Sequence, residues 1–149
     1  MKNYHSYITE ILGSLSKNQI FASAELSATP LCPGLNGRVV FYRHPKENGI
    51  FVVSSLFGLP DGKGTKRYDV LIRSSRSPPC GKNPNRGFCK SDAIQLPELS
   101  GNSGFAFSVF YTEEISRSSL LGKTVSIFPK SSPCKRSDEA LACGLILPA

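Results

Sequence analysis

Cysteine dominates the residues able to do chemistry in this 149-residue chain. Five are present: Cys32, Cys80, Cys89, Cys134 and Cys143. The last four share one spacing, with eight residues between Cys80 and Cys89 and eight between Cys134 and Cys143. Nested disulfides, Cys80–Cys143 and Cys89–Cys134, suit that symmetry. Free thiols and a four-thiolate zinc site stay open, although structural zinc sites usually space paired ligands by roughly two to four residues. Cys32 stands apart and reads as a small buried hydrophobe. Cys89 lies next to Lys90 and close to Arg86, and nearby cations favour the nucleophilic thiolate. Only two histidines, His5 and His44, are present. No nucleophile triad, phosphate loop or paired-carboxylate site is evident.

Charge is the second chemical feature. The chain carries a formal net +7. Eight basic residues fall in one window: Lys63, Lys66, Arg67, Arg73, Arg76, Lys82, Arg86 and Lys90. Asp69 is the only acid among them, so the window accounts for the whole net charge. A local positive field attracts anions, and these eight residues are the candidate anion-binding set. A solvated basic loop is the plainer alternative. Nucleic acid is not favoured, because only Tyr68 and Phe88 interleave with the cations and stacking needs aromatic platforms.

The elements that must position these residues read as strands. Glycine and proline are frequent, at 13 and 11 residues, which favours short strands and turns over long helices. No apolar run approaches the ~18 residues of a membrane span. Tyr4, Ile8, Ile11, Leu12 and Leu15 recur at helical spacing, so residues 1–19 are expected to be a helical extension of a domain at 20–149. Ala22-Ser-Ala24 looks like a cleavage site, but no continuous apolar stretch precedes it, so no signal peptide is read. A cytoplasmic location is expected, and the cysteines keep an extracellular one open. Strands are expected at Phe21–Leu26, Gly37–Arg43, Ile50–Phe57, Tyr68–Arg73, Gly104–Tyr111, Lys123–Phe128 and Ala142–Leu147. Ser74–Pro97 and Pro129–Glu139 read as two long loops holding three of the cysteines. Seven or so short strands at this spacing predict an all-β antiparallel sandwich or Greek-key barrel.

Several segments carry a family resemblance. Gly101-Asn-Ser-Gly-Phe-Ala-Phe107, Leu121-Gly-Lys-Thr-Val-Ser-Ile127 and Ala142-Cys-Gly-Leu-Ile146 fall in the order and spacing of the copper/zinc superoxide dismutases. Gly37-Arg-Val-Val-Phe-Tyr42 and Phe57-Gly-Leu-Pro60 add to it, in the style of the bacterial branch. The chain resembles that family over about residues 20–147. The resemblance implies an eight-stranded Greek-key barrel with two long active-site loops, and a homodimer. It also implies a disulfide from the first long loop to the last strand, at Cys80 and Cys143. Cys89 and Cys134 have no counterpart and would be a second pair.

The family's chemistry needs histidines that hold copper and zinc, with one aspartate. Here the matching positions are Leu71 and Arg73 for the paired histidines, Asp92 and Gln95 for the zinc pair, and Phe128 for the last copper ligand. The bridging histidine before Asn83-Pro84 has no equivalent, and Ala140 replaces the basic residue that draws in superoxide. No copper or zinc cofactor is therefore expected. The expected function is a non-catalytic superoxide dismutase-like protein that binds a protein or an anionic ligand through its basic loops. Residual superoxide dismutase or thiol/metal redox activity at a cysteine-based site, with Cys80 or Cys89 and Asp92, is the alternative.

Overall fold

The computed structural model describes residues 19–30, 32–44, 48–59, 66–73, 94–102, 104–129 and 140–149. Nine strands form: β1 (Ile20–Ala28), β2 (Asn36–Arg43), β3 (Ile50–Phe57), β4 (Lys66–Arg73), β5 (Ile94–Asn102), β6 (Phe105–Thr112), β7 (Thr124–Pro129), β8 (Ala142–Leu145) and β9 (Leu147–Pro148). A 3-10 turn at Arg117–Ser119 precedes β7. The expected helix within residues 1–19 lies outside the described residues. Among the described residues, no helix is long and apolar enough to cross a membrane.

The strands join in the order β2-β3-β6-β5-β4-β7-β8-β1, and β1 pairs with β2 again. That last pairing closes an eight-stranded antiparallel barrel, with short β9 added beside β1. The chain leaves β3, passes over two strands and enters β4; it leaves β6 and crosses back to β7. Closure removes the open sheet edges that would otherwise invite pairing with other chains.

Alternation of side chains makes the inside. Ala22, Ala24 and Leu26 of β1, Val39 and Phe41 of β2, Val52 and Leu56 of β3, and Val70 and Ile72 of β4 belong to one core. Leu96 and Leu99 of β5 and Val125 and Ile127 of β7 complete it. Cys32 is in this core as a buried free thiol, as expected of the cysteine that stands apart from the paired spacing.

The barrel is two four-stranded halves. The seams between them are narrow. β5 meets β6 only at Gly101↔Ala106 and Asn102↔Phe105. β1 meets β8 only at Ser27↔Cys143 and Ala28↔Ala142. By contrast, β2 and β3 pair along eight residues.

β5 corrects the expected loop Ser74–Pro97, because a strand begins at Ile94. Pro97 hid it, since proline cannot donate to a ladder. The register shifts there: Tyr68 faces Leu99, Val70 faces Leu96, and Pro97 falls in the bulge between them. The last expected strand is also interrupted, at Ile146, between β8 and β9.

Candidate functional site

β4 and β7 lie side by side with the pairs Asp69↔Phe128, Leu71↔Ser126 and Arg73↔Thr124. Tyr68, Val70 and Ile72 on one strand, and Val125 and Ile127 on the other, point into the core. The alternate residues therefore stand on the outer face. An outer face of a barrel strand is ordinarily wet. This one is not: Leu71, Arg73, Thr124, Ser126 and Phe128 are all buried.

Leu71, Phe128 and Ala140 form their own apolar cluster, separate from the barrel core. Ala140 is fixed from below. Thr29 Oγ1 donates to its carbonyl at 2.7 Å, and the next residue, Leu141, donates from its backbone nitrogen to the Ile127 carbonyl at 2.7 Å.

Arg73 is 6% exposed. Its register partner is Thr124, while Phe128 lies four residues farther along β7, about 13 Å at the usual rise per residue. The long side chain folds back along the strands and closes much of that distance, toward the Phe128 ring. Its Nη2 donates to Ser126 Oγ at 3.2 Å, and its Cζ sits 5.4 Å from the centre of the Phe128 ring. A guanidinium over an aromatic face is attracted by the ring's electron density, more strongly once both are out of water.

Three of the five positions matched to metal ligands are thus brought together: Leu71, Arg73 and Phe128. Gln95 stands opposite Leu71 on β5 but is exposed. Asp92 lies outside the described residues. Chemically the cluster offers two hydrocarbon groups and one fixed cation. Neither alkyl nor phenyl groups have lone pairs for a metal. A guanidinium stays protonated and has only donors. Ser126 is the member that sequence reasoning missed. Its place two residues before Phe128, on the same face of one strand, was the available signal.

Comparison with protein-family models gives no match, and comparison with curated proteins gives none.

The basic window divides. Lys66 and Arg67 are exposed at the start of β4, with Arg67 Nε 3.6 Å from Glu98 Oε1. Arg73, at the other end of that strand, is removed from solvent and is not part of an accessible anion-binding surface. Lys63, Arg76, Lys82, Arg86 and Lys90 lie outside the described residues, as do Cys80, Cys89 and Cys134. Cys143 is on β8 beside Ser126, buried in the same transverse row. His44 is elsewhere, stacked on Phe51 and edge-on to Tyr111. Inside the barrel, burial raises the pKa of the Tyr68 hydroxyl above its ordinary value, with a further push from Cys32.

Proposed function

We propose that this chain is a superoxide dismutase-like barrel whose metal position has been filled by side chains, and that it works by binding rather than by catalysis. One observation carries the reading. Three of the positions where the resemblance calls for copper and zinc ligands converge on one face, and that face is packed with Leu71, Phe128 and the buried guanidinium of Arg73. Copper and zinc do not fit this set. Two of the groups have no donor atoms, and the third would repel a cation at close range.

The strand order supports the fold side of the proposal. β4, β5 and β6 are consecutive neighbours, and β7 returns to lie beside β4, which is the Greek-key arrangement. The Cys80–Cys143 disulfide belongs to the same proposal. Cys143 is buried on β8 and, unlike Cys32, is not a free cysteine, which supports it. The binding partner is a protein or an anionic ligand, met by the accessible part of the basic window, including Lys66 and Arg67.

The test is elemental analysis of the full chain after exposure to copper and zinc, with a superoxide dismutation assay on the same sample. Bound metal well below one atom per chain, and no turnover, are expected. Stoichiometric metal with turnover would mean that cysteines and Asp92 had built a different site, and the binding reading would be lost.

A further inference from the structure

The outer face of the other half of the barrel is apolar. Outward positions on β2, β3 and β6 run in transverse rows, from Tyr42–Phe51–Tyr111 at one end to Asn36–Phe57–Phe105 at the other, with rows centred on Val53 and Ser55 between them. They alternate with the core members Val39, Val52 and Ala106, so they stand outside the barrel. The first row is roofed by its own rings: His44 stacks on Phe51 and meets Tyr111 edge-on, each at 5.4 Å. The opposite end is bare. Phe57, Phe105 and Phe107 are 45%, 47% and 49% exposed, with successive ring centres 5.3 and 6.2 Å apart. An antiparallel sheet that faced only water would carry polar residues here. Phenylalanines held half in water are costly unless something covers them.

We propose that a second copy of this chain covers the face, in a symmetric dimer centred near Phe107. Charge favours a copy over a charged partner. Arg38 is the only ion among the outward residues of β2, β3 and β6, and Glu25 of β1 holds it at 2.9 Å. The chain's net charge belongs to the window Lys63–Lys90, whose described members Lys66, Arg67 and Arg73 are on β4, in the other half of the barrel. Two copies can therefore meet here with their basic windows turned away, which limits the repulsion of their net +7. An acidic protein or an anionic lipid surface would find on these rows only an ion already paired.

The side chains also suit self-contact. A two-fold contact sets one patch against itself, and phenyl rings complement phenyl rings in offset or edge-on pairs. An aromatic centre with its charges at the margin is ordinary interface anatomy. Area sets the strength. Strands of eight residues, four abreast with β1, make a face of about 27 Å by 19 Å, or about 500 Å². Two copies would bury about 1,000 Å², the lower end of specific interfaces, where association is weak. The metal-matched residues Leu71, Arg73 and Phe128 take no part, because β4 and β7 form the other half.

Sedimentation equilibrium of the full-length chain tests this. The 16.2 kDa chain is expected to go from one mass toward two between about 1 μM and about 1 mM. Salt at about 1 M, which screens charge but not apolar contact, should not weaken the dimer. Phe107→Glu, folded by circular dichroism, should stay at one mass over the same range. Phe105→Ser is a milder second variant, decisive if Phe107→Glu does not fold, and should move the midpoint at least about tenfold higher in concentration. Leu145→Glu, at an exposed position on β8, should leave the dimer unchanged. One mass throughout in the native chain overturns the proposal. So does a dimer that the phenylalanine variants leave intact, that Leu145→Glu abolishes equally, or that salt dissolves, since the contact would then be elsewhere. Growth past two masses would mean an open, head-to-tail contact and overturns it too.

Discussion

Burying a cation outside a hydrophobic core needs compensation, and Arg73 shows where it comes from. The guanidinium donates to Ser126 Oγ and lies over Phe128. Removing an acceptor from a buried charged donor costs more than losing a neutral hydrogen bond. Ser126→Ala is therefore expected to lower stability by about 1–3 kcal/mol. Phe128→Ala removes the ring and opens a void against Leu71 and Ala140, for an expected loss of about 3–5 kcal/mol. Phe107→Ala, at a half-exposed phenylalanine, should cost clearly less than Phe128→Ala. Urea midpoints at unchanged slope give all three values. A loss at Phe128 no larger than at Phe107 would show that the outer face of β4 and β7 is loosely covered and not a second core.

The elements are held together unequally, and two glycines sit where the barrel is narrowest. A methyl group on Gly101 would run into the Phe105 carbonyl, and one on Gly144 into the Glu25 carbonyl. The first marks the β5–β6 seam, the second the β1–β8 seam, each with only two residue pairs. Backbone must approach backbone there, and only a residue without a Cβ allows it. Gly144→Ala is expected to destabilise the protein by about 2–3 kcal/mol, and to speed amide exchange at Ala28 and Ala142 before the rest of the barrel opens. Leu145→Ala, one residue on and exposed, should do neither. Equal exchange for both variants would mean that the seam does not depend on the close approach. These seams were not legible in the sequence. Strands with clear alternation were: Gly37–Arg43 and Ile50–Phe57 nearly coincide with β2 and β3, because both bury one face without interruption. β5 was missed because Pro97 breaks its pattern, and a bulge is a tertiary solution to a local problem. At the site, Leu71 and Phe128 could be singled out by position. That Arg73 folds back onto Ser126 and Phe128 could not, because these partners lie two and four residues from its register position on a neighbouring strand. Composition likewise counted Arg73 as surface charge, and only the packing of β4 against β7 withdraws it.

At the scale of the whole molecule, closure by two short seams leaves the barrel dependent on whatever ties them from outside. Cys143 is on β8, at the β1–β8 seam, opposite Ser27 on one side and Ser126 on the other. A cross-link from Cys80 would anchor this seam strand to the chain beyond β4. Closing a loop of about 60 residues in this way would restrict the unfolded chain and contribute about 4 kcal/mol. The pairing Cys89–Cys134 would close a second loop inside the first. Thiol counting on full-length protein, denatured without reductant, tests both. One reactive thiol is expected, Cys32, and it should react only after denaturation because it is buried in the core. Three reactive thiols would leave a single cross-link and remove the second pair. Five would remove both, and the seam would then rest on its two residue pairs alone. If both pairs are present, reductant should lower the urea midpoint of the native chain clearly more than that of a Cys80→Ser, Cys143→Ser double variant, which has only the inner pair left to lose. An equal drop in both proteins would place the stabilisation in the inner pair and detach β8 from the explanation.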